Sequence, residues 1–406
     1  MDRKADKILT LQIAGVQGLY WMVFCPIASY ASVYLLSKDF SNQRIGWVIA
    51  ISNVLAIVLQ PALGALVDKV RRISLKAVMA ILSLLCMLML GGLIVMQPGM
   101  IGTAVLYVLT IALLLSMQPL VTSLTFRYIN AGHDISFGVT RSAGSIFFAI
   151  LSPLLGILVD RNSTVILPFA GLILFTVYLL VVQSLPKVAE TRQLSETDQE
   201  EHKASLEVGF LHRYDRFIPF LIGIACLFIF HSIINNFLPQ IMVSVGGRET
   251  DIGVSLTIAA LCEMPAFLGF TYLVRKIRNQ TLLIVSGIFY VLRSVVFLLA
   301  ASVWTVNIGQ ALQVLSFGLF IPASVYFVNK LMREEDRVKG QSLVTGMSTL
   351  GSFFGSVVGG RLLDQSGVGG ALAFGLAGTV VGCLLMIYAV SKRTGRGILR
   401  MPAEKA

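Results

Sequence analysis

Three ionisable side chains, Arg141, Glu263 and Arg293, lie inside apolar stretches of this sequence, and His231 makes a fourth. A charge placed in hydrocarbon costs at least ~2.5–3.5 kcal/mol, so such a residue faces a partner or a wet cavity, where solutes and protons pass. Glu263 falls 11 residues into its apolar run, about 17 Å deep at 1.5 Å per residue. Arg293 falls 12 residues into the next run, entered from the opposite side, and reaches the same level. Two antiparallel helices with opposite charges at one depth are expected to pair. One reading has Glu263 titrating or binding solute while Arg293 tunes its proton affinity. The other is a salt bridge that only holds the fold.

Arg141 stands four residues from the start of its run. Two placements are open: snorkelling to the surface, or pointing inward, where a guanidinium fork can bond hydroxyl oxygens. Phe148 follows two helical turns along the same face. Its ring suits the apolar C–H face of a polyhydroxylated ring, or plain packing. His231 and Asn235 share a face at i, i+4, with Asn236 and Gln240 beside them. Pro239 interrupts that helix and frees backbone acceptors. His231 titrates near neutrality as a free side chain, which makes it a candidate proton carrier. Gln17, Trp21, Cys25 and Ser29 form a semi-polar stripe at i+4 spacing, and Asn53, Gln60, Gln310 and Gln313 add amides that read singly as packing.

The elements holding these residues follow from composition. The chain has 406 residues, 56% hydrophobic and 13% charged, with mean hydropathy +0.82. A soluble domain carries roughly 25% charge, and one of this size could not keep so much apolar surface from water. The expected class is therefore an all-α integral membrane protein. Twelve runs of spanning length are read: 8–36, 45–67, 74–96, 100–126, 137–159 and 164–185, then 217–245, 252–274, 281–301, 304–328, 340–363 and 368–390. The formal net charge is +11. Twenty-five Lys and Arg fall in loops on one side, against Lys38, Arg44, Arg161, Arg248 and Arg361 on the other. This bias predicts both termini in the cytoplasm of a multi-pass protein of the cell membrane.

The polar stretch 186–216 divides the chain into two six-helix bundles, 1–185 and 217–406, and reads as a cytoplasmic linker. The halves repeat one another. The fifth run opens FGVTRSAG and closes GILVDRNS, and the eleventh opens KGQSLVTG and closes GRLLDQSG. Gly351, Gly355 and Gly359 form a small-residue line for close helix approach. The five cysteines lie singly in apolar runs, which suggests neither a disulfide framework nor a metal site. No HExxH, GxSxG or GxxxxGK[ST] occurs, so an enzyme or an ATP-driven pump is not expected. No cofactor, metal or nucleic-acid partner is expected, only membrane lipid, a small polar solute and protons.

The segment GALVDKVRR, Gly64 to Arg72, resembles the signature of the major facilitator superfamily, Gly-x-x-x-Asp followed by a basic cluster. Gly64 permits close packing, Asp68 can accept from backbone donors of a neighbouring helix end, and Lys69, Arg71 and Arg72 hold the loop inside. Arg71 replaces the usual second glycine. LQPALGALVDK (59–69), FGVTRSAG (137–144), GVSLTIAALCEMPAF (253–267) and IFYVLRSVV (288–296) resemble the oligosaccharide:proton symporters, the lactose permease-like group. That resemblance implies that Arg141 contacts sugar hydroxyls, that Phe148 stacks on the sugar ring, and that Glu263 and Arg293 are the family's span-eight carboxylate and span-nine arginine. Ser123 stands near the family's span-four acid. Ser316 and Leu319 stand near its span-ten histidine and glutamate, and His231, Asn235 and Asn236 stand where span seven has aspartates.

The expected function is secondary active transport by alternating access. The solute would be a sugar or similar small polar molecule, taken up with a proton by a working monomer. Solute binding is assigned to Arg141, Phe148, Glu263, Arg293, His231, Asn235, Gln17 and Trp21, and proton coupling to Glu263 and His231. Gly64, Asp68, Arg71 and Arg72 form the gating loop. Proton-driven export of a drug or metabolite, and solute sensing without transport, are the alternatives.

Overall fold

A computed structural model describes residues 3–69, 74–186, 213–214 and 216–391. The described residues form helices and the turns that join them, with no strand among them. The chain begins with α1 (Arg3–Phe24), which runs into a wide turn, Cys25–Ser29, and then α2 (Ala31–Leu36). Pro26 explains the widening. It has no N–H to donate, and the Tyr30 N–H bonds the Cys25 carbonyl five residues back at 3.1 Å. Next come α3 (Asn42–Lys69), α4 (Leu75–Val95), α5 (Met100–Asn130), α6 (Phe137–Arg161) and α7 (Ile166–Ser184).

The second part of the chain opens with α8 (Phe217–Asn236) and α9 (Leu238–Ser244), broken ahead of Pro239 as its missing donor requires. Then follow α10 (Glu249–Lys276), α11 (Asn279–Leu298), α12 (Val303–Ala311) and α13 (Phe317–Leu331). A 3-10 turn, Leu312–Val314, separates the last two. The run 304–328 is therefore not one continuous helix. α14 spans Arg337–Ser391 but is interrupted at Gly367, whose φ of 69° and ψ of −171° are non-helical. A 58-residue stretch, Glu334–Ser391, would far exceed the ~30 Å hydrocarbon layer as one straight rod. The positive φ at Gly367, which glycine adopts without Cβ strain, lets it turn back. Among the described residues, eleven helices are long and apolar enough to cross a membrane, the last of them this broken one.

Large apolar side chains such as Leu11, Val58, Leu88, Ile101 and Leu180 stand exposed on the outer faces. That is the inverse of a soluble surface and the expected face toward lipid. Within the first part, α1 packs on α6 and α7, and α5 packs on α3 and α4; within the second, α14 packs on α8 and α11, and α10 on α12 and α13. The two parts meet chiefly where α6 crosses α10 and where α3 crosses α14. Arg3 and the turns at 130–137 and 332–337 lie at one end of the molecule, here the terminal end. The turns at 37–41, 162–165 and 245–248 lie at the far end.

Candidate functional site

Arg293, on α11, is 0% exposed. Its Nε donates to the Gly309 carbonyl at 2.9 Å and one terminal nitrogen to Gln310 Oε1 at 2.6 Å. The same nitrogen also donates to Gln313 Oε1. The 3-10 turn explains the shared acceptors: at three residues per turn, side chains at i and i+3 eclipse, so Gln310 and Gln313 present their amides to one guanidinium. The other terminal nitrogen, Nη1, has no partner among the described residues. The Phe297 ring lies 5.7 Å from the guanidinium carbon.

Gln313 has a second bond. Its Nε2 donates to Glu263 Oε1 on α10. The expected direct pair between Glu263 and Arg293 is not present; no ion pair joins them within 4.0 Å among the described residues. The amide between them has one donor end and one acceptor end, so it faces its N–H to the carboxylate and its oxygen to the guanidinium. Depth along two helices places the charges at one level, but α11 and α10 do not turn those faces to each other. The bridging residue was legible only as one amide among several.

Arg141 on α6 lies over the Trp21 ring of α1, 4.8 Å from its centroid, a cation–π contact. It is half-buried and within electrostatic reach of Glu263. Two glycines make the arrangement possible. A Cβ on Gly144 would come within 2.3 Å of Trp21 Cδ1, and one on Gly18 within 1.7 Å of the Phe147 ring. α1 and α6 therefore lie close enough for a ring from one to cover a guanidinium from the other. Phe148 is 9% exposed and belongs to the packed core; the ring beside Arg141 is Trp21. Gln17, one turn before Trp21, is 3% exposed, and its Nε2 has no partner among the described residues.

On α8 the His231 ring stacks on Phe317 with centroids 4.4 Å apart and planes 3° from parallel. Its Nε2 lies 3.0 Å from Asn235 Nδ2, and its Nδ1 is enclosed without a partner among the described residues. Asn236 turns elsewhere, donating to Ser232 and Ser356 hydroxyls at 2.8 Å each. Gln240 reaches the first part of the chain, bonding Ser32 Oγ and Asn42 Oδ1 at 2.8 Å. The structure thus gathers Glu263 and Arg293 through Gln313, and Arg141 with Trp21, while His231 and Asn235 form their own pair. Arg71 and Arg72 of the signature loop, and most of the segment 186–216, lie outside the described residues. So does the side chain of Asp68. No described atom lies within 4 Å of where a Gly64 Cβ would stand, and Gly64 lines a hollow with Thr122, Ser123 and Arg127.

At the far end the two parts of the chain meet backbone to backbone at Gly46, Gly156, Gly253 and Gly360, and at the terminal end they leave a hollow between them. There a cleft of about 540 Å³ is lined by Gln60 and Pro61 of α3 and by Asn329, Arg337, Gln341 and Thr345 from the second part. No cluster of His, Cys, Asp or Glu suited to a metal occurs among the described residues.

Known proteins place this architecture. A maltose permease of Geobacillus stearothermophilus is 26% identical over 387 residues, covering 93% of both chains. An uncharacterized transporter of Bacillus subtilis (strain 168), YwbF, is 21% identical over 402 residues and 96% of both. Among solved structures, the nucleoside transporter NupG (D323A mutant) superposes with a TM-score of 0.80 at 17% identity, over 94% of this chain and 99% of the other. A peptide transporter POT (E310Q mutant) gives 0.69 at 13% identity, over 94% and 93%. These similarities share the fold, and the proteins are membrane transporters rather than enzymes. The family model described as MFS_1 like family matches residues 12–374, and the chain belongs to that family of multi-pass transporters.

Proposed function

We propose that this protein takes up a sugar or similar small polar solute together with a proton. Two six-helix halves, 1–185 and 217–406, rock around a mid-depth site, with 186–216 as their linker. The observation that carries this reading is the bridge Glu263–Gln313–Arg293 in the second half, set within electrostatic reach of Arg141 over Trp21 in the first. Counting the arms of α14 on either side of Gly367 separately makes twelve crossings. The bias of Lys and Arg to the terminal end puts both termini in the cytoplasm of the cell membrane, so the cleft faces inward. The working unit is a monomer.

The chemistry runs through Glu263. As a carboxylate it only accepts, and Gln313 Nε2 donates to it. Once protonated, its carbonyl oxygen still accepts from Gln313, but that bond is no longer charge-assisted and the new O–H needs an acceptor of its own. Gln313 also holds Arg293, so arrival of a proton reaches a second side chain through a group of fixed polarity. Arg141 supplies a fork for hydroxyl oxygens, and Trp21 supplies an apolar ring edge; Gln17, Asn235 and His231 add polar groups along the wall. Phe148 supports this wall from the core, and Gly64, Asp68, Arg71 and Arg72 govern the rocking. The names of the relatives agree with this chemistry: maltose and nucleosides both carry hydroxylated rings.

The test is uptake of radiolabelled maltose and of uridine into proteoliposomes under an imposed pH gradient, with and without a protonophore. Gradient-driven accumulation of one of them, abolished by the protonophore, is expected. Binding with no accumulation would identify a sensor instead. Accumulation of apolar drugs in the reverse direction would identify an exporter.

A further inference from the structure

At the far end, the two halves meet through one contact made twice. In the first copy, a Cβ on Gly156 would lie 2.5 Å from the Glu249 carbonyl oxygen, and one on Gly253 would lie 2.3 Å from the Ser152 oxygen. In the second, a Cβ on Gly360 would lie 2.3 Å from the Asn42 oxygen, and one on Gly46 would lie 2.2 Å from the Ser356 oxygen. Each crossing ends in an aspartate four residues beyond a glycine, in the segments GILVD and GRLLD. Asp160, at the end of α6, accepts from the Thr250 N–H at 3.0 Å and from the Thr250 hydroxyl. Asp364, on α14, accepts from the N–H groups of Asn42 at 3.0 Å and Gln43 at 2.8 Å, and from the Asn42 amide at 2.8 Å. Both carboxylates sit on the first turn of a helix from the other half, α10 and α3. There the N–H groups have no helical partner and the dipole is positive.

We propose that Asp160 and Asp364 are paired latches that hold the far end shut, and that Glu249 makes the Asp160 latch close with a shared proton. Each bond joins one half to the other, so it exists only while this end is closed. Both aspartates are exposed. Water can therefore take over their bonds on opening, which suits a contact that must release in every cycle. The two latches differ at one position. Where Asp364 meets the neutral amide of Asn42, Asp160 meets the carboxyl of Glu249, the residue before Thr250 and close enough for the two carboxyls to share a hydrogen bond. Two ionised carboxylates can only accept, so that bond needs a proton on one of them. The other groups about the pair are Arg161 on α6, Arg248 and Asp251 at the start of α10, and Tyr30, whose hydroxyl donates to the Ser152 carbonyl at 2.9 Å. Asp251 is engaged with the Arg248 N–H at 2.8 Å. Acid is thus expected to favour closure through Asp160 and to leave Asp364 unaffected.

This inference does not depend on the solute or on Glu263. Spin labels at Ser163→Cys and Arg361→Cys, exposed positions on opposite halves, report far-end separation by double electron–electron resonance in the full-length protein in nanodiscs. The parent should show a short distance at pH 5 and a growing longer component by pH 8. Asp364→Asn should raise the open-to-closed ratio about tenfold at both pH values, the scale of one lost charge-assisted bond. Asp364→Glu, which keeps the charge, should stay near the parent. Glu249→Gln, supplying an amide as Asn42 does, should abolish the pH response and keep the end closed. An unchanged distribution in both Asp160→Asn and Asp364→Asn would overturn the latches. A parent flat between pH 5 and pH 8, or a Glu249→Gln variant that still responds, would overturn the proton-sharing role of Glu249.

Discussion

Replacing Gln313 with leucine removes the group that joins Glu263 to Arg293 at nearly constant volume. Arg293 keeps Gly309 O and Gln310 Oε1 but loses an acceptor, and Glu263 loses its donor. Each is a hydrogen bond to a charged group, worth roughly 1.5–3 kcal/mol, so the substitution is expected to cost about 3–5 kcal/mol, the range for breaking a buried charge pair. Glu263→Gln turns one of those bonds into a neutral one worth about 0.5–1.5 kcal/mol. In that background, Gln313→Leu should therefore cost about 1–2 kcal/mol less. The assay is a double-mutant cycle on reversible unfolding in mixed micelles. Additivity within about 0.3–0.5 kcal/mol would mean that the two residues do not share an interaction, and the bridge would be refuted.

Arg141→Lys is expected to weaken solute binding by tenfold or more in equilibrium binding assays, because an ammonium replaces neither the fork nor the stacked plane over Trp21. Gly144→Ala should weaken binding in the same assay, since its Cβ would displace the Trp21 ring, while leaving expression near the parent level. His231→Phe should cost little stability, because stacking on Phe317 survives and an enclosed unpartnered Nδ1 is removed; a loss above about 2 kcal/mol in thermal unfolding would count against this reading. Asp68→Asn should lower the turnover rate more than it lowers solute affinity, as measured by initial uptake rates set against binding.

Much of the fold was legible because hydrocarbon imposes its own rules. Span length is a one-dimensional signal, and the break before Pro239 follows from a missing N–H. The turn at Leu312–Val314 was not legible, since neither proline nor glycine lies within those three residues. It matters because it swings Gln310 and Gln313 onto one guanidinium. The site divided along the same line. Rise per residue put Glu263 and Arg293 at one depth, but depth carries no azimuth, and the residue between them comes from a third helix segment. Helical period likewise set Phe148 beside Arg141, whereas the ring that covers Arg141 belongs to another helix and depends on Gly18 and Gly144. The aspartates ending GILVD and GRLLD were visible as a repeat. What they bond is a matter of packing between halves, which no local pattern encodes.

The central claim is that Glu263 carries the coupled proton, and solute movement in a Glu263→Gln variant tests it most directly. Preloaded vesicles should still exchange labelled for unlabelled solute down its gradient, while an imposed pH gradient should drive no accumulation. Uphill uptake at the parent level in that variant would contradict the account.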